Sequence, residues 1–176
     1  ANNVFANAST ILVNGGTLNA NTRTDTVAGV RLDSGAITGT TGALTSTTAH
    51  DLRSGTVTKI LGGTAGLNKT TAGTVILSGA NTYTGATTIS AGTLTLGAAN
   101  RIPTATAVTV DAGASFNLSN LAETVGFIAG GGNINLGSAV LTSGGNNSTT
   151  VFSGVASGTG GLTKAGTGSL TLSGAN

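Results

Sequence analysis

Residues 66–97 read GLNKTTAGTVILSGANTYTGATTISAGTLTLG, and its opening half returns at 161–176 as GLTKAGTGSLTLSGAN, 95 positions later. Gly66, Leu67, Lys69, Leu77, Gly79 and Asn81 recur as Gly161, Leu162, Lys164, Leu172, Gly174 and Asn176; Tyr83 follows the first copy only. Self-similarity at such a spacing marks a repeat architecture. A second alignment sets ANNVFANASTILVNGGTLN at the start against ANRIPTATAVTVDAGASFN, placing Ala1 on Ala99 and Asp25 on Glu123, 98 apart. The chain thus reads as one continuous segment, residues 1–176, made of composite copies 1–98 and 99–176, the second incomplete.

Within a copy the strands are short and alternate with period two. In Thr93–Leu96 (TLTL) the alternation sends Leu94 and Leu96 to one face and the threonines to the other, and Ala107–Val110 (AVTV) and Ser169–Leu172 (SLTL) behave alike. Ser-Gly, Ala-Gly and Gly-Gly between them are turn signals. Thirty glycines make helix untenable, at roughly 1 kcal/mol for each interior one. The class is therefore all-β. A sandwich would not repeat itself after 95 residues, and Asn-Gly hairpin turns are nearly missing, so a parallel β-solenoid is favoured over a sandwich, barrel or propeller. At about 20 residues per coil the chain makes roughly nine coils and stands on the order of 40 Å tall. Inward positions are expected at Leu67, Leu77, Ile89, Leu94, Leu96, Val108, Val110, Phe116, Ile134, Leu136, Val140, Leu162, Leu170 and Leu172.

Composition excludes several functions. Hydrophobic residues reach 38% and the formal net charge is only +2, so the chain folds rather than staying disordered. The 7 Lys and Arg are scattered, without the clustered stripe that nucleic acid requires. No cysteine is present, which rules out disulfides and thiolate metal sites. No apolar run of about 18 residues offers a membrane span.

The ordered set Gly-Leu-x-Lys, a Gly-Thr strand, Ser-Gly-Ala-Asn-Thr-Tyr-x-Gly, a Thr-Thr-Ile strand and Ala-Gly-Thr-Leu resembles the autotransporter-associated β-strand repeat of type V secreted passenger domains and giant bacterial surface proteins. That resemblance implies a right-handed parallel β-helix, exported through the outer membrane and displayed at the cell surface. It implies no catalytic residue and no cofactor. A complete family protein carries a signal peptide and a translocator barrel, so an internal fragment or processed product is expected. The open coils at Ala1 and Asn176 would then be covered by further repeats of the same chain or by identical subunits stacked end to end.

Residues that could carry chemistry have plainer readings. A polysaccharide hydrolase needs two carboxylates about 5 to 9.5 Å apart. Asp25 and Glu123, a whole repeat apart, cannot supply them. Arg31 with Asp33, and Asp51 with Arg53, share strand faces two residues apart and read as neutralised surface pairs. Asp111 aligns with Asn14 and reads as a turn residue. His50, the sole histidine, has no second imidazole or thiolate for a metal and reads as a solvent-facing loop residue, so His50→Ala should change stability by less than about 0.5 kcal/mol. The Gly130–Gly132 and Gly144–Gly145 runs lack the aspartates of calcium-binding repeats. Lys69 and Lys164 read as edge charges that discourage off-register pairing. Tyr83 reads as a ring laid over a turn, with a glycan or partner contact as the rival. Asn81 and Asn176 are expected to bond their own backbone or turn left-handed. Thr56/Thr58 and Thr93/Thr95 stand among coils reading Ser115/Asn117 and Asn133/Asn135, which ranks ice binding below a structural role or a glycan- or cell-binding adhesin.

Overall fold

The structure, a computed structural model, describes residues 4–176; Ala1 and its alignment with Ala99 lie outside them. Every regular element among these residues is a strand, and every strand pairs in parallel with the coil above or below. Parallel stacking without helices is the solenoid the alternation predicts. The chain makes about eight turns rather than nine, because residues 5–9 precede the first strand and residues 144–149 lengthen one corner.

Each coil has three faces. On the first, 29–32 stacks beneath His50–Leu52, Leu67–Lys69, Thr87–Ile89, Ala107–Val110, Phe127–Gly130, Thr150–Phe152 and Leu170–Leu172. On the second, 36–37 underlies Gly55–Val57, Thr74–Leu77, Thr93–Leu96, Ser115–Asn117, Asn133–Gly137 and Val155–Gly158. The long strands Thr10–Asn19 and Gly29–Thr38 bend from the first face to the second, the former through register shifts around Asn14 with Gly15 and Gly16 at positive φ. The third face is broken in two. Asp25–Val27, Ala43–Ser46 and Ile60–Gly62 form one block, Glu123–Val125, Val140–Ser143 and Gly161–Lys164 the other, and the two coils between contribute no strand.

Period-two alternation fixes what fills the tube. Stacked inward columns read Val75, Leu94, Phe116, Ile134 and, beside them, Val57, Leu77, Leu96 on the second face, all buried. Of the expected inward residues, those from Leu67 to Leu136 are buried. Val140 is not: it is 45% exposed, and its neighbour Leu141 points inward in register with Glu123. Two adjacent apolar residues left the phase of that strand open, and the backbone ladder with Glu123–Val125 decides it. Leu162 and Leu170 are only partly buried and Leu172 is 43% exposed, since no described coil lies above them.

The two copies of the sequence repeat do not lie on the same face. Leu67–Lys69 belongs to the first face, whereas Gly161–Lys164 belongs to the third. Five strand segments lie between Glu123 and the second copy and six between Asp25 and the first, counting Gly29–Thr38 as two because it spans two faces. The local corner geometry nevertheless survives the rotation. A Cβ on Gly79 would lie 2.3 Å from the Lys59 carbonyl oxygen, and one on Gly174 would lie 1.9 Å from that of Gly154. Only glycine lets the Ser-Gly-Ala-Asn corner approach the coil below so closely.

Leu96→Asp should lower the denaturation free energy by several kcal/mol, because it buries a carboxylate with no partner. Val140→Asp should change it by no more than about 0.5 kcal/mol. Urea titration of both variants, followed by circular dichroism, checks the pair; equal effects would mean the third-face phase is misassigned.

Candidate functional site

Alternation carries polar residues inward as readily as apolar ones. Leu52 points inward, so His50, two residues earlier on the same strand, must too, and it is fully buried. It is a core residue, not the solvent-facing loop residue expected. Its Nε2 lies 3.0 Å from the Gly62 carbonyl oxygen while Nδ1 is buried without a partner, and burial lowers the imidazole pKa. The Tyr83 ring, 6.3 Å from the imidazole between centroids, is likewise fully buried, with its hydroxyl 2.7 Å from Thr87 Oγ1. Tyr83 is thus a core ring, neither exposed nor available to a ligand. Burial pushes its phenol pKa up.

The same logic relocates Lys69. Leu67 faces inward, so Lys69 does, and the edge-charge reading fails: the residue is fully buried. Its ammonium donates to the carbonyl oxygens of Thr71 and, at 3.0 Å, Ala91 in the next coil. Lys164 turns the same way into its own corner, donating to Ala165 and Gly166, although it is exposed on the last coil. Lys59, which sequence reasoning passed over, donates to three carbonyls, Asn21 at 3.1 Å, Arg23 at 2.7 Å and Thr41 at 2.6 Å. Desolvation lowers the pKa of both Lys59 and Lys69. These ammonium groups satisfy carbonyls that converge at a corner, of which Asn21 O also accepts the Thr40 N–H of the next coil.

Acidic and amide side chains do the converse for N–H groups. Asp25 Oδ2 accepts from Val4 and Phe5, at 2.8 and 2.9 Å. Glu123, its counterpart, accepts from Arg101 at 2.9 Å and Ile102 at 3.3 Å. Asn81 accepts from Leu61 N and donates to the Arg101 carbonyl at 2.8 Å; Asn176 accepts from Ala156 N and donates to the carbonyl of Gly174. Asn81 therefore bonds the coils below and above instead of its own turn, and its φ is not left-handed; Asn176 does both. Asp25 and Glu123 stand five coils apart on one face, about 24 Å at the coil spacing.

The other acidic residues meet at the surface. Arg31 and Asp33 form a bidentate pair at 2.6 and 2.9 Å. Arg53 Nε reaches both Asp51 at 3.0 Å and Asp33 at 3.3 Å, so the two pairs merge across adjacent coils. Thr70 adds a 2.6 Å hydrogen bond to Asp51. Asp33 and Asp51 thus share one guanidinium nitrogen, which sets the two carboxylates close together. General acid catalysis needs one of them protonated near neutrality, and Arg31 instead holds the Asp33 carboxyl below its ordinary value. Asp111 lies at a turn, its N–H bonded to Ile89 O and its carbonyl to Ala114 N. No group of three His, Asp or Glu able to hold a metal occurs among the described residues.

On the second face the outward residues Thr93/Thr95, Ser115/Asn117 and Asn133/Asn135 are in register, flanked by Thr74/Ile76 below and Val155/Ser157 above. They stack in two columns rather than standing isolated, and the face is free of charge over those five strands. Asn117 and Asn135 each accept from a backbone N–H two residues on.

The sequence profile of the passenger-associated-transport-repeat matches residues 67–96 and 162–176. Both segments are copies of that repeat. No curated protein and no solved structure matches the chain. In both segments of this chain, then, the Gly-Leu-x-Lys lysine bonds corner carbonyls and the Ser-Gly-Ala-Asn asparagine bonds a neighbouring coil. Repeat and solenoid together fit a structural segment of a secreted or surface passenger domain.

His50→Ala should destabilise by about 2–4 kcal/mol, a buried-cavity cost rather than a surface one. Because the folded imidazole pKa is depressed, its contribution is present above about pH 6.5 and lost as pH falls. In thermal melts between pH 5 and 7.5 the wild type should lose stability relative to His50→Gln as pH falls, a comparison in which the titration of other groups cancels.

Proposed function

We propose that the chain is a rigid stalk or scaffold segment of a bacterial passenger domain, exported through the outer membrane and displayed on the cell surface, without catalytic activity, cofactor or metal. The observation that carries this reading is where the charges go. Lys59, Lys69 and Lys164 serve corner carbonyls, Asp25 and Glu123 serve backbone N–H groups, and Arg31, Asp33, Asp51 and Arg53 serve one another. A chain that commits most of its ionisable groups to its own backbone and to one another suits mechanical continuity better than chemistry. Further repeats of the same chain, or identical subunits stacked end to end, would take the open ladder edge of the coil ending at Leu170–Leu172, because an unpaired edge templates another strand.

One observation favours a second reading, an adhesin. The uncharged two-column array of the second face is a regular surface on which a neutral glycan or a host-cell surface could lie.

A glycan array and a cell-binding assay with the purified chain separate the two. The stalk reading expects no specific binding and strong protease resistance. Specific binding abolished by Thr95→Lys would establish the adhesin instead. Sedimentation should show concentration-dependent association; a clean monomer at millimolar concentration would count against end-to-end stacking.

A further inference from the structure

The break in the third face is closed by side chains. Backbone ladders run unbroken through the same coils on the first and second faces, from Leu67–Lys69 to Ala107–Val110 and from Thr74–Leu77 to Ser115–Asn117. On the third face Asn81 links Leu61 to Arg101, and Glu123 then receives the N–H groups of Arg101 and Ile102, where a strand would otherwise have supplied carbonyls. The upper block hangs on this carboxyl and on a backbone bond at either end of the joint, Asn100 N–H to Ala122 O at 3.2 Å and Gly126 N–H to Thr106 O at 2.8 Å, with none between them at Arg101 and Ile102 besides the Glu123 contacts. Glu123 is 1% exposed. Arg101 Nε, beside it, is buried without a partner.

We propose that Glu123 makes this joint a pH-responsive hinge, closed while its carboxyl carries a proton and loosened when the carboxyl ionises. Three backbone N–H groups, those of Arg101, Ile102 and Thr124, favour the charged form, as does the Arg101 charge; burial opposes it and prevails, raising the pKa to about 7. Facing groups are few. Below stand Arg101 and, a coil further down, Tyr83; above come Leu141, Thr142 and Ser143, with Lys164 a coil beyond. Opening the joint returns the carboxyl to water and its ordinary pKa near 4.5. The closed joint therefore binds the proton more tightly than the open one. Its advantage is fully present below about pH 4.5, declines as pH rises, and is exhausted above about pH 7. Because the other two faces stay paired, the opening is local, of the kind hydrogen exchange resolves.

The test is amide hydrogen exchange of the whole chain by NMR, expressed as protection factors so that intrinsic pH dependence cancels. Protection of Arg101, Ile102 and Thr124 should fall on the order of a hundredfold between pH 4.5 and 8, while Leu94 and Phe116 on the second face stay level. Glu123→Gln should remove the pH dependence, and His50→Gln should keep it. Flat protection in the wild type, an unchanged profile in Glu123→Gln, or loss of the profile in His50→Gln would overturn the hinge. Should Glu123→Gln fail to fold, the carbon-13 titration of the Glu123 carboxyl in the wild type decides: a midpoint near 7 that coincides with the loss of protection supports the hinge, and an ordinary midpoint overturns it.

Discussion

Backbone hydrogen bonds between successive coils impose the constraint from which the other features follow. A parallel ladder has to keep its register, so each coil must return to the same three faces whatever its own sequence, and a strand's phase is inherited from the strand beneath it. Val140 is exposed and Leu141 buried for this reason. The rotation of the second repeat copy from the first face to the third has the same origin. One strand segment fewer precedes it, and the ladder accepts the shift because the repeat encodes a strand followed by a tight corner, not a position around the axis.

Corners are where the ladder fails and side chains must replace it. Backbone groups that lose their partners there are buried, and an unpaired buried polar group costs about 1–3 kcal/mol. Lysine reaches farthest and carries only donors, which suits it to converging carbonyls; carboxyl oxygens accept, which suits Asp25 and Glu123 to N–H groups; asparagine does both and so clasps three coils at Asn81. Few charged residues occur in the chain, and most of them are committed to these tasks. Burying them has a consequence, for His50 and Glu123 are penalised at opposite ends of the pH scale.

Much of this was legible in the sequence. Alternation in Thr93–Leu96 and Ala107–Val110, the glycine-rich corners and the 95-residue recurrence were enough for an all-β parallel solenoid and most of its core. The charged pairs Arg31–Asp33 and Asp51–Arg53 were legible too, though not that coil stacking would merge them. His50, Lys69 and Tyr83 were misread because polarity was allowed to outweigh phase: in His-Asp-Leu and Leu-Asn-Lys the leucine fixes the inward face, and its partner two residues away must share it. Asp-Thr-Val and Glu-Thr-Val held the same signal for Asp25 and Glu123. What no local pattern could show is the azimuth of the second repeat and the break in the third face, since both depend on how many segments precede them.

Disulfide trapping tests the ladder most directly, because the chain contains no native cysteine to confuse the outcome. Thr163 stacks outward on Thr142 on the third face, whereas its repeat counterpart Asn68 belongs to the first. Strands about 4.8 Å apart bring paired Cα atoms within disulfide range. Under mild oxidation the double variant Thr142→Cys with Thr163→Cys should cross-link readily, and Val151→Cys with Thr163→Cys, which joins the third face to the first, should not. Cross-linking of the second pair in place of the first would show that the repeat keeps its face and that the ladder does not set the position of each coil.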